Sequence, residues 1–575
     1  MELTPEECLK KYWGFDKFRP LQREIIESVC SGKDTLALLP TGGGKSLCYQ
    51  IPALMNPGIC LVVSPLIALM NDQVATLRQR NIKALSVTSE YNYRQIDYIL
   101  DRCIYEDIKL LYLSPERLIT DLARTRIAKM KVSLIAVDEA HCISEWGYDF
   151  RPSYTRIAEI RKTHPDTPVL ALTASATKTV VEDIRQKLEF RKGANTYTQS
   201  FHRKNLAYFI QWNENKLGLT EQIAKKQKGS GIIYLRNRRG TERAARELNS
   251  RGIAATYYHA GLSAVDRQQR QDDWMRGRVK VMVATNAFGM GIDKPDVRYV
   301  IHYDIPDSIE NYYQECGRAG RDGKHSFAVG IFTAKDIDRL KERLVSSFPS
   351  KAEIKRCYQA LCNHLQLAIG SGKEEVYHFD LKRLCESFDI KPITFIHSMK
   401  LLERDGYLTY DDTPGQRSAI KFTASSEAVY NTRISDQKLA PLIETLLRSY
   451  TGLFDEYVQI DEWTLAKRIK TNKTRVVKML RDLQKLELAD YREAVGSQSV
   501  FFNEGRLDVK NIRLSDEHYY QRKKVVADKV DAIIHYTTTR SKCRSRLISE
   551  YFGETNAQEC GICDVCISNK DQGEA

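Results

Sequence analysis

The residues with the clearest chemical signature form a glycine-rich turn near the N-terminus. The turn consists of Thr41, Gly42, Gly43, Gly44, Lys45 and Ser46. It follows the apolar run Leu36–Leu39 and precedes Leu47–Ile51, which can open a helix. A strand, a glycine turn and a helix start direct backbone N–H groups and the helix dipole at a phosphate. The spacing predicts a nucleotide site in which Lys45 reaches the β/γ-phosphates and Ser46 holds Mg²⁺.

An acidic pair follows a second apolar run. Asp138 and Glu139 come directly after Leu134–Val137. The carboxyl ends of parallel strands are where α/β proteins bind ligands. We expect Asp138 to hold Mg²⁺ through water and Glu139 to polarise the water that attacks the γ-phosphate.

Two arginines and a glutamine can complete this site. Arg318 and Arg321 are three residues apart and share one face of a helix or turn, where they can neutralise charge on a transferring phosphoryl group. A solvated arginine pair is the alternative, but Gly317 and Gly320 favour close backbone approach. The amide of Gln22 can bond adenine in a bidentate way and so select ATP over GTP.

Aromatic residues cluster just after the acidic pair. Trp146, Tyr148, Phe150 and Arg151 lie within six positions. Such a set forms a stacking platform for unpaired bases. Aromatic residues more often fill a core, but the interleaved glycine and charged residues make full burial costly here. We expect these four residues to contact the bases of a nucleic acid.

Four of the fourteen cysteines differ from the rest. Ten are scattered singly and are interpreted as small core residues of a reducing compartment. The four clustered cysteines are Cys543, Cys560, Cys563 and Cys566. Their spacing suits a structural, tetrahedral Zn²⁺ with all four positions closed by sulfur. Free thiols and a redox pair are the alternatives; the second lacks a thioredoxin-like context.

The elements that position these residues fall into five segments. Apolar runs alternate with helical patterns over residues 1–200 and again over 201–345, which predicts two α/β lobes with parallel sheets and a cleft between them. Residues 346–430 and 431–515 each show two helices followed by two strand-like runs, which is typical of winged-helix domains. Generic helical linkers are the alternative. Residues 516–575 form the zinc-binding subdomain.

The two winged-helix segments carry further DNA contacts in this interpretation. Each is expected to end in a β-hairpin, one from Tyr407–Tyr410 and Ala419–Phe422, the other from Ala489–Tyr491 and Ser499–Phe502. On the helix before the second hairpin we expect contacts from Lys473 and Arg475, and in the hairpin from Tyr491. The aromatic side chains of this second hairpin either separate DNA strands or pack into their own domain.

Charge and hydropathy narrow the class of protein. The net charge of +14 over 575 residues favours an anionic partner, most commonly nucleic acid. The longest apolar stretch, Ile59–Met70, is too short to cross a bilayer. The N-terminus lacks the basic and then apolar pattern of a signal peptide. We expect an intracellular protein with no membrane partner.

The ordered motif set resembles the RecQ family of DNA helicases, in superfamily two. Besides the stretches above, it includes Phe18–Gln22, Ser64–Met70, Leu172–Thr177, His259–Leu262, Ala284–Asp293 and Gln314–Arg321. The resemblance implies two RecA-like lobes, ATP and Mg²⁺ as cofactors beside Zn²⁺, and 3′→5′ translocation on single-stranded DNA with duplex unwinding. It implies that Lys45, Asp138, Glu139, Arg318 and Arg321 carry hydrolysis, and that Gly289, Asp293 and Gln314 line the nucleotide site.

The same resemblance implies a cellular setting. It suggests a monomer in the bacterial cytoplasm, associated with the nucleoid and acting in recombination, repair, replication and the SOS response. Single-stranded and duplex DNA are the expected partners, with a single-strand-binding protein or a topoisomerase as further candidates.

The chain departs from the family pattern in several places. Tyr148 stands where a His is usual, Glu145 where a Gln is usual and Lys204 where a Pro is usual. The zinc motif follows both winged-helix segments, whereas in most of the family it directly follows the second lobe. We interpret this as a variant arrangement, in which the sequence ends shortly after Cys566.

Three alternatives stay open at the level of sequence. An RNA helicase would share the motor, but not the aromatic loop or the winged-helix and zinc segments. A double-strand translocase would hydrolyse ATP without unwinding. A non-enzymatic DNA-binding regulator would explain the charge and the zinc, but not the ordered Lys45, Asp138, Glu139 and Arg321.

Overall fold

The computed structural model describes most of the chain in two compact units. The described residues are 3–40, 42–88, 91, 93–147, 150–289, 292, 294–411, 418–450, 452–454, 457–469, 471–492 and 498–573. One unit comprises residues 1–341 with 525–575, and the other comprises residues 342–524.

The first lobe is built on a seven-stranded parallel sheet. Its strands are β1 (Thr35–Leu38), β2 (Ile59–Val63), β3 (Ala84–Val87), β4 (Leu110–Leu113), β5 (Val132–Val137), β6 (Val169–Thr173) and β7 (Asn195–Thr198). Their spatial order is β3-β4-β2-β5-β6-β1-β7. Strand β6 lies between β5 and β1, with Leu172 opposite Ala37 and Ala171 opposite Val137. The ends of these three strands therefore line one edge of the sheet.

Helices cover this sheet, which explains why its central strands are continuous apolar runs. The helices are α1 (Pro5–Trp13), α2 (Gln22–Cys30), α3 (Leu47–Met55), α4 (Ile67–Gln79), α5 (Tyr93–Tyr105), α6 (Pro115–Leu118), α7 (Asp121–Ile127) and α8 (Lys178–Lys187). Two 3₁₀ segments, Ala140–Ile143 and Pro152–Lys162, flank the aromatic loop.

The second lobe has a six-stranded parallel sheet. Its strands are β8 (Leu206–Trp212), β9 (Ser230–Tyr234), β10 (Ala255–Tyr258), β11 (Val281–Ala284), β12 (Val297–His302) and β13 (Ser326–Phe332), in the order β10-β11-β9-β12-β13-β8. Its helices are α9 (Lys216–Lys226), α10 (Arg238–Ser250), α11 (Ala264–Met275), α12 (Ile309–Cys316) and α13 (Ala334–Ser347). The predicted pair of parallel-sheet lobes is confirmed.

The unit of residues 342–524 contains two small antiparallel sheets. Its helices are α14 (Lys351–His364), α15 (Leu381–Phe388), α16 (Pro392–Arg404), α17 (Ser426–Ser435), α18 (Ala440–Ser449), α19 (Glu462–Arg468) and α20 (Lys473–Lys485). Its strands are β14 (Val376–Phe379), β15 (Leu408–Asp411), β16 (Ala419–Phe422), β17 (Val458–Gln459), β18 (Ala489–Arg492) and β19 (Gln498–Phe502). The sheets have the orders β14-β19-β15 and β17-β16-β18.

The two predicted hairpins are wrong. Strand β15 pairs with β19, with Leu408 opposite Phe502, and β16 pairs with β18, with Phe422 opposite Ala489. The two strands of each predicted hairpin therefore lie in different sheets, with β15 and β19 in one and β16 and β18 in the other. The sheet β17-β16-β18 lies between β15 and β19 in sequence and is called the inner sheet; the sheet β14-β19-β15 is called the outer sheet. The inner sheet has a hydrophobic core of its own, running from Ile420 to Tyr491. The predicted boundary at residue 430 falls inside α17 and within that core.

The chain ends in helices α21 (Arg522–Thr538), α22 (Arg544–Tyr551) and α23 (Asp564–Gly573). A short π-helical turn, Glu517–Gln521, precedes them. Across the part of the chain that the structure describes, no helix combines the length and apolar character needed to cross a bilayer.

Candidate active site and zinc centre

The glycine turn joins β1 to α3, whose N-cap residue is Ser46. Gly42 and Gly44 adopt φ of 79° and 76°, a left-handed conformation that side chains other than glycine rarely adopt. The turn thus needs glycine at both positions. Thr41, which we predicted to contact nucleotide, lies outside the described residues.

The side chain of Gln22 is hydrogen-bonded to the backbone of the glycine turn. Its Nε2 donates to the carbonyl oxygens of Gly43 and Gly44 at 3.3 and 3.0 Å, and its Oε1 accepts from the Arg19 backbone N–H at 2.9 Å. The side chain is 1% exposed. Both ends of the amide are therefore engaged by protein in this state, and the predicted bond to adenine stays a prediction.

The acidic pair lies beside Lys45. Lys45 Nζ is 3.8 Å from Glu139 Oε1, and both side chains are largely buried. Glu139 adopts the left-handed conformation with φ 47° and ψ 46°. Its other oxygen lies 3.3 Å from Nδ1 of the fully buried His141, which also bonds Thr173 Oγ1 at 3.0 Å. The ends of β1, β5 and β6 thus supply one connected polar cluster.

The two carboxyl groups have opposite electrostatic environments. Burial, and then the negative charge of Glu139, raises the pKa of Asp138 to about 6. Burial also acts to raise the pKa of Glu139, but the positive charges of Lys45, His141 and Arg318 outweigh it and lower that pKa. Glu139 is therefore the ionised partner, and Asp138 is the group that a divalent cation would most favour in its charged form.

The second lobe contributes an arginine to the glycine turn. A Cβ placed on Gly42 would lie 3.1 Å from Arg321 Cγ, so this side chain lies against the turn. Arg318 donates to the carbonyl oxygen of Gly289 and is 6% exposed. Gln314 Nε2 donates to Ser175 Oγ at 3.3 Å, which joins α12 to the loop after β6. The structure thus brings predicted residues of both lobes to one cleft, whereas Asp293 lies outside the described residues.

The aromatic loop folds tightly against the 3₁₀ segment that follows the acidic pair. A Cβ on Gly147 would lie 2.6 Å from the His141 carbonyl oxygen and 2.9 Å from that of Ser144, so only glycine fits. Arg151 Nη1 donates to the Pro65 carbonyl oxygen at 3.1 Å. Trp146 and Phe150 are half-buried, and Tyr148 lies outside the described residues.

Two lysines that we did not predict contact this loop. Lys187 of α8 lies 3.8 Å from Glu145 Oε1 and 5.6 Å from the Phe150 ring centroid. Lys529 of α21 donates to the Trp146 carbonyl oxygen at 2.7 Å. No local pattern marks either lysine, because each is one of several basic residues on its helix.

The residues of the winged-helix region that we predicted to contact DNA differ in their exposure. Arg475 is exposed on α20, which Lys473 begins; the Lys473 side chain lies outside the described residues. Tyr491 is 5% exposed and donates its hydroxyl to Glu462 Oε1 at 2.8 Å. The ring belongs to the hydrophobic core that runs from Ile420 to Tyr491, which favours the alternative that it packs into its own domain, and the DNA contact of Tyr491 stays a prediction. Phe502, on β19 of the other sheet, is buried as well.

The four clustered cysteines form a compact metal centre. The sulfur atoms of Cys543, Cys560, Cys563 and Cys566 all lie within 4.8 Å of one another. Cys543 Sγ is 3.5 Å from Cys560 Sγ and 3.9 Å from Cys563 Sγ. Four converging thiols, with no fifth ligand among the described residues, suit a tetrahedral structural Zn²⁺. The predicted zinc site is confirmed at the level of its ligand set.

The zinc centre is fastened to the second lobe. Arg544 Nε donates to Asp564 Oδ1 at 3.0 Å, and Asp564 Oδ2 accepts from the Ile210 backbone N–H at 2.9 Å. Phe552 stacks on Phe201 with ring centroids 4.3 Å apart. These contacts link the metal-binding helices to β8 and to the segment before it.

Comparison with known proteins agrees with this architecture. Four family models match successive segments: DEAD/DEAH box helicase at 19–184, helicase conserved C-terminal domain at 215–323, RecQ helicase winged-helix domain, Bacteroidota, at 420–493, and RecQ zinc-binding at 506–567. The third coincides with the inner sheet and its core, and the fourth includes all four cysteines.

Individual relatives cover the two lobes. The chain is 44% identical over 343 residues to ATP-dependent DNA helicase RecQ of Haemophilus influenzae, a match that covers 60% of this chain and 55% of that protein. It is 41% identical over 353 residues to the probable ATP-dependent DNA helicase RecS of Bacillus subtilis, covering 60% and 70%. A solved structure of Dbp5 from S. cerevisiae, bound to RNA and ADP BeF3, gives a TM-score of 0.48 at 19% identity, covering 59% and 90%. On the strength of the RecS match and the RecQ models, this chain belongs to the RecQ family of helicases.

Proposed function

We propose that the protein is an ATP-dependent DNA helicase that translocates 3′→5′ on single-stranded DNA and unwinds duplexes. The observation that carries this proposal is the position of Arg321 of lobe two against Gly42 of the glycine turn in lobe one. A nucleotide in that turn would contact both lobes at once. Its binding and hydrolysis would then close and open the cleft.

The residues present fit ATP hydrolysis. Lys45 neutralises charge on the β- and γ-phosphates, and Arg321, with Arg318 beside it, stabilises charge that develops on the transferring phosphoryl group. Glu139, ionised because of its cationic neighbours, orients and polarises the attacking water. Ser46 and Asp138 would hold Mg²⁺, which would supply electrophilic stabilisation of the phosphate oxygens.

The aromatic loop is the element that would couple DNA to hydrolysis. It follows Glu139 closely in sequence, with Trp146 seven positions later. Gly147 packs on the backbone of His141, whose ring lies beside the Glu139 carboxylate. Bases that stack on Trp146 or Phe150 would therefore shift backbone that is two residues from the general base.

Support for DNA rather than RNA as the substrate comes from the parts outside the two lobes. The relatives in Haemophilus influenzae and Bacillus subtilis are described as DNA helicases. A winged-helix segment and a zinc centre accompany the motor here. A translocase that moves on duplex without separating it would use the same cleft, and the substrate pair below distinguishes the two activities.

We propose further that the winged-helix region consists of two nested domains, an outer one of residues 351–411 with 498–515 and an inner one of 418–492. The sheet pairing and the inner core support this division. The inner helix α20 with Arg475 is the candidate DNA contact. In this proposal the protein acts as a monomer on the chromosome of a bacterial cell, and a single-strand-binding protein or a topoisomerase is a candidate partner.

The test is ATP hydrolysis and strand separation on duplexes with a 3′ or a 5′ single-stranded tail. We expect unwinding of the 3′-tailed duplex alone, and loss of both activities in Lys45→Ala with DNA binding retained. DNA-stimulated hydrolysis without unwinding of either duplex would instead indicate a translocase. Stronger stimulation by RNA than by DNA would contradict the choice of substrate.

A further inference from the structure

Lys529 joins three parts of the first unit through one ammonium group. It lies on α21, near the zinc centre in sequence. Its Nζ donates to the Trp146 carbonyl oxygen of the aromatic loop at 2.7 Å and lies 3.3 Å from Glu310 Oε1 of lobe two. The Lys529 side chain is only 14% exposed. The cation is thus held between the loop of lobe one and helix α12 of lobe two.

Glu310 is positioned to hold this cation. It is the second residue of α12 and is 3% exposed, so its charge requires a partner. Tyr551 of α22 lies beside it, since burial and then the Glu310 carboxylate raise the pKa of that tyrosine. The same helix α12 carries Gln314, which bonds Ser175, and it leads directly into Arg318 and Arg321.

This arrangement gives the loop a second connection to the ATP site, through the other lobe. Through Gly147 and His141 the loop reaches Glu139 within lobe one. Through Lys529 and Glu310 it reaches the helix that precedes the two arginines. Without the connection through Lys529 and Glu310, a movement of the loop on DNA binding would affect only Glu139 in lobe one and not the arginines of lobe two.

We propose that Lys529 is a positioning residue that couples DNA occupancy of the aromatic loop to the arginine-bearing side of the ATP site. This inference rests on the proposed function and deepens it. Lys529 contacts the loop through a backbone carbonyl, so its role does not depend on which bases stack on the loop. Its contribution lies in holding Trp146 and α12 in one fixed relation.

The test replaces Lys529 with methionine, which keeps the apolar stem and removes the charge. We expect the ratio of DNA-stimulated to DNA-free hydrolysis to fall about tenfold, the size of one charge-assisted hydrogen bond. The KM for ATP should change much less than kcat, because the nucleotide contacts are intact. Lys529→Arg should retain most of the stimulation. Lys524→Met, an exposed lysine on the same helix, is the matched control and should behave as wild type.

A double variant distinguishes loss of coupling from destabilisation of the fold. Lys529→Met leaves the buried Glu310 carboxylate without its cation, and Lys529→Met with Glu310→Gln removes that charge. If the double variant holds zinc, unfolds at the wild-type temperature and still shows wild-type stimulation, the inference is overturned. A purely structural role would lower the unfolding temperature and the DNA-free rate together and would leave the stimulation ratio unchanged.

Hydrogen exchange separates this inference from the proposed function. In the DNA-free protein, amides around Trp146 should exchange faster in Lys529→Met than in wild type or Lys524→Met. Wild-type protein that hydrolyses ATP without any response to DNA would contradict the helicase proposal. The exchange measurement alone would then decide on Lys529, and unchanged exchange would refute its role.

Discussion

Arg321 of lobe two lies so close to Gly42 of lobe one that a Cβ on this glycine would stand 3.1 Å from Arg321 Cγ. The contact joins the segment between α12 and β13 to the turn that follows β1. A side chain at position 42 would both strain the backbone, at φ 79°, and push the arginine away. The glycine therefore serves the approach of the other lobe as well as the approach of phosphate.

Arg321→Ala should remove transition-state stabilisation without disturbing the lobes. We expect kcat for ATP hydrolysis to fall about a thousandfold, as for arginines that contact a transferring phosphoryl group elsewhere. Steady-state kinetics with saturating DNA measures the loss. Arg339→Ala, whose side chain is 63% exposed on α13, is the control. A loss of only twofold would place Arg321 outside the reaction.

Asp138→Asn should stabilise the nucleotide-free protein at alkaline pH. The folded pKa is raised from 3.8 to about 6, so ionised Asp138 destabilises the folded state fully above pH 6 and not at all below pH 3.8. The shift corresponds to about 3 kcal/mol at pH 8, and to about half of that at pH 5.

Thermal unfolding without Mg²⁺ or nucleotide measures this effect. The gain in unfolding temperature over wild type should be larger at pH 8 than at pH 5. Asp107→Asn, at a carboxylate whose side chain is 72% exposed, should give no such difference. An equal gain at both pH values would show that the charge of Asp138 is not what destabilises the site.

Gly147→Ala should uncouple the aromatic loop from hydrolysis. The added methyl group would stand 2.6 Å from the His141 carbonyl oxygen, so the loop must move away from the 3₁₀ segment. We expect the DNA-free ATPase rate to persist and DNA stimulation to fall at least about tenfold, a barrier change of about 1.4 kcal/mol. Titration of ATPase rate with single-stranded DNA is the measurement. Wild-type stimulation would contradict the tight packing.

Tyr491→Phe should lower stability but leave unwinding unchanged. The hydroxyl bonds the buried Glu462 carboxylate, which also accepts a bond from Ser418. Its loss should cost about 1 kcal/mol of unfolding free energy. Denaturant unfolding and 3′-tailed duplex unwinding are measured side by side. Tyr430→Phe, 51% exposed, is the control. Impaired unwinding at unchanged stability would instead support a role of Tyr491 in strand separation.

Cys563→Ser should release zinc and weaken the second lobe. Asp564 follows this ligand and accepts a bond from the Ile210 backbone N–H, so disorder of the metal site would free the edge strand β8. We expect loss of bound zinc and a fall in unfolding temperature of several degrees. Metal analysis and thermal unfolding measure both. Cys30→Ser, at a half-buried cysteine outside the cluster, should keep its zinc. Retained stability after zinc loss would show that the docking does not depend on the metal.

Much of the motor could be predicted because its signals are local. Buried parallel strands are continuous apolar runs, so Leu36–Leu39 and Leu134–Val137 marked two strand ends whose polar residues meet. The hairpins failed for the opposite reason. Strands β15, β16, β18 and β19 have similar length and alternation, and nothing in their sequences distinguishes a neighbour from a partner about 70 to 90 residues away.

The contact between Lys529 and Trp146 could not be predicted from the sequence, because it joins residues that are far apart in the chain. Lys529 and Trp146 are 383 positions apart, and neither carries a pattern that names the other. Gln22 shows a related limit. Its residue type suggested a base contact, whereas its two polar ends are satisfied by the glycine turn and Arg19 in this state. The sequence shows which hydrogen bonds a side chain can form, but not which group in the folded protein becomes its partner.

The nested sheets impose an order on biosynthesis. Strand β19 lies in the middle of the outer sheet, between β14 and β15, yet it leaves the ribosome last of the three. The inner core from Ile420 to Tyr491 leaves the ribosome before β19 does and can then fold, since domains generally fold as units during synthesis. The outer sheet cannot form until residues 498–502 have left the ribosome, because within the described part of the chain β14 and β15 pair only with β19 and not with each other. A nascent chain that has emerged from the ribosome only as far as residue 492 would thus hold a finished inner domain and an unfinished outer one.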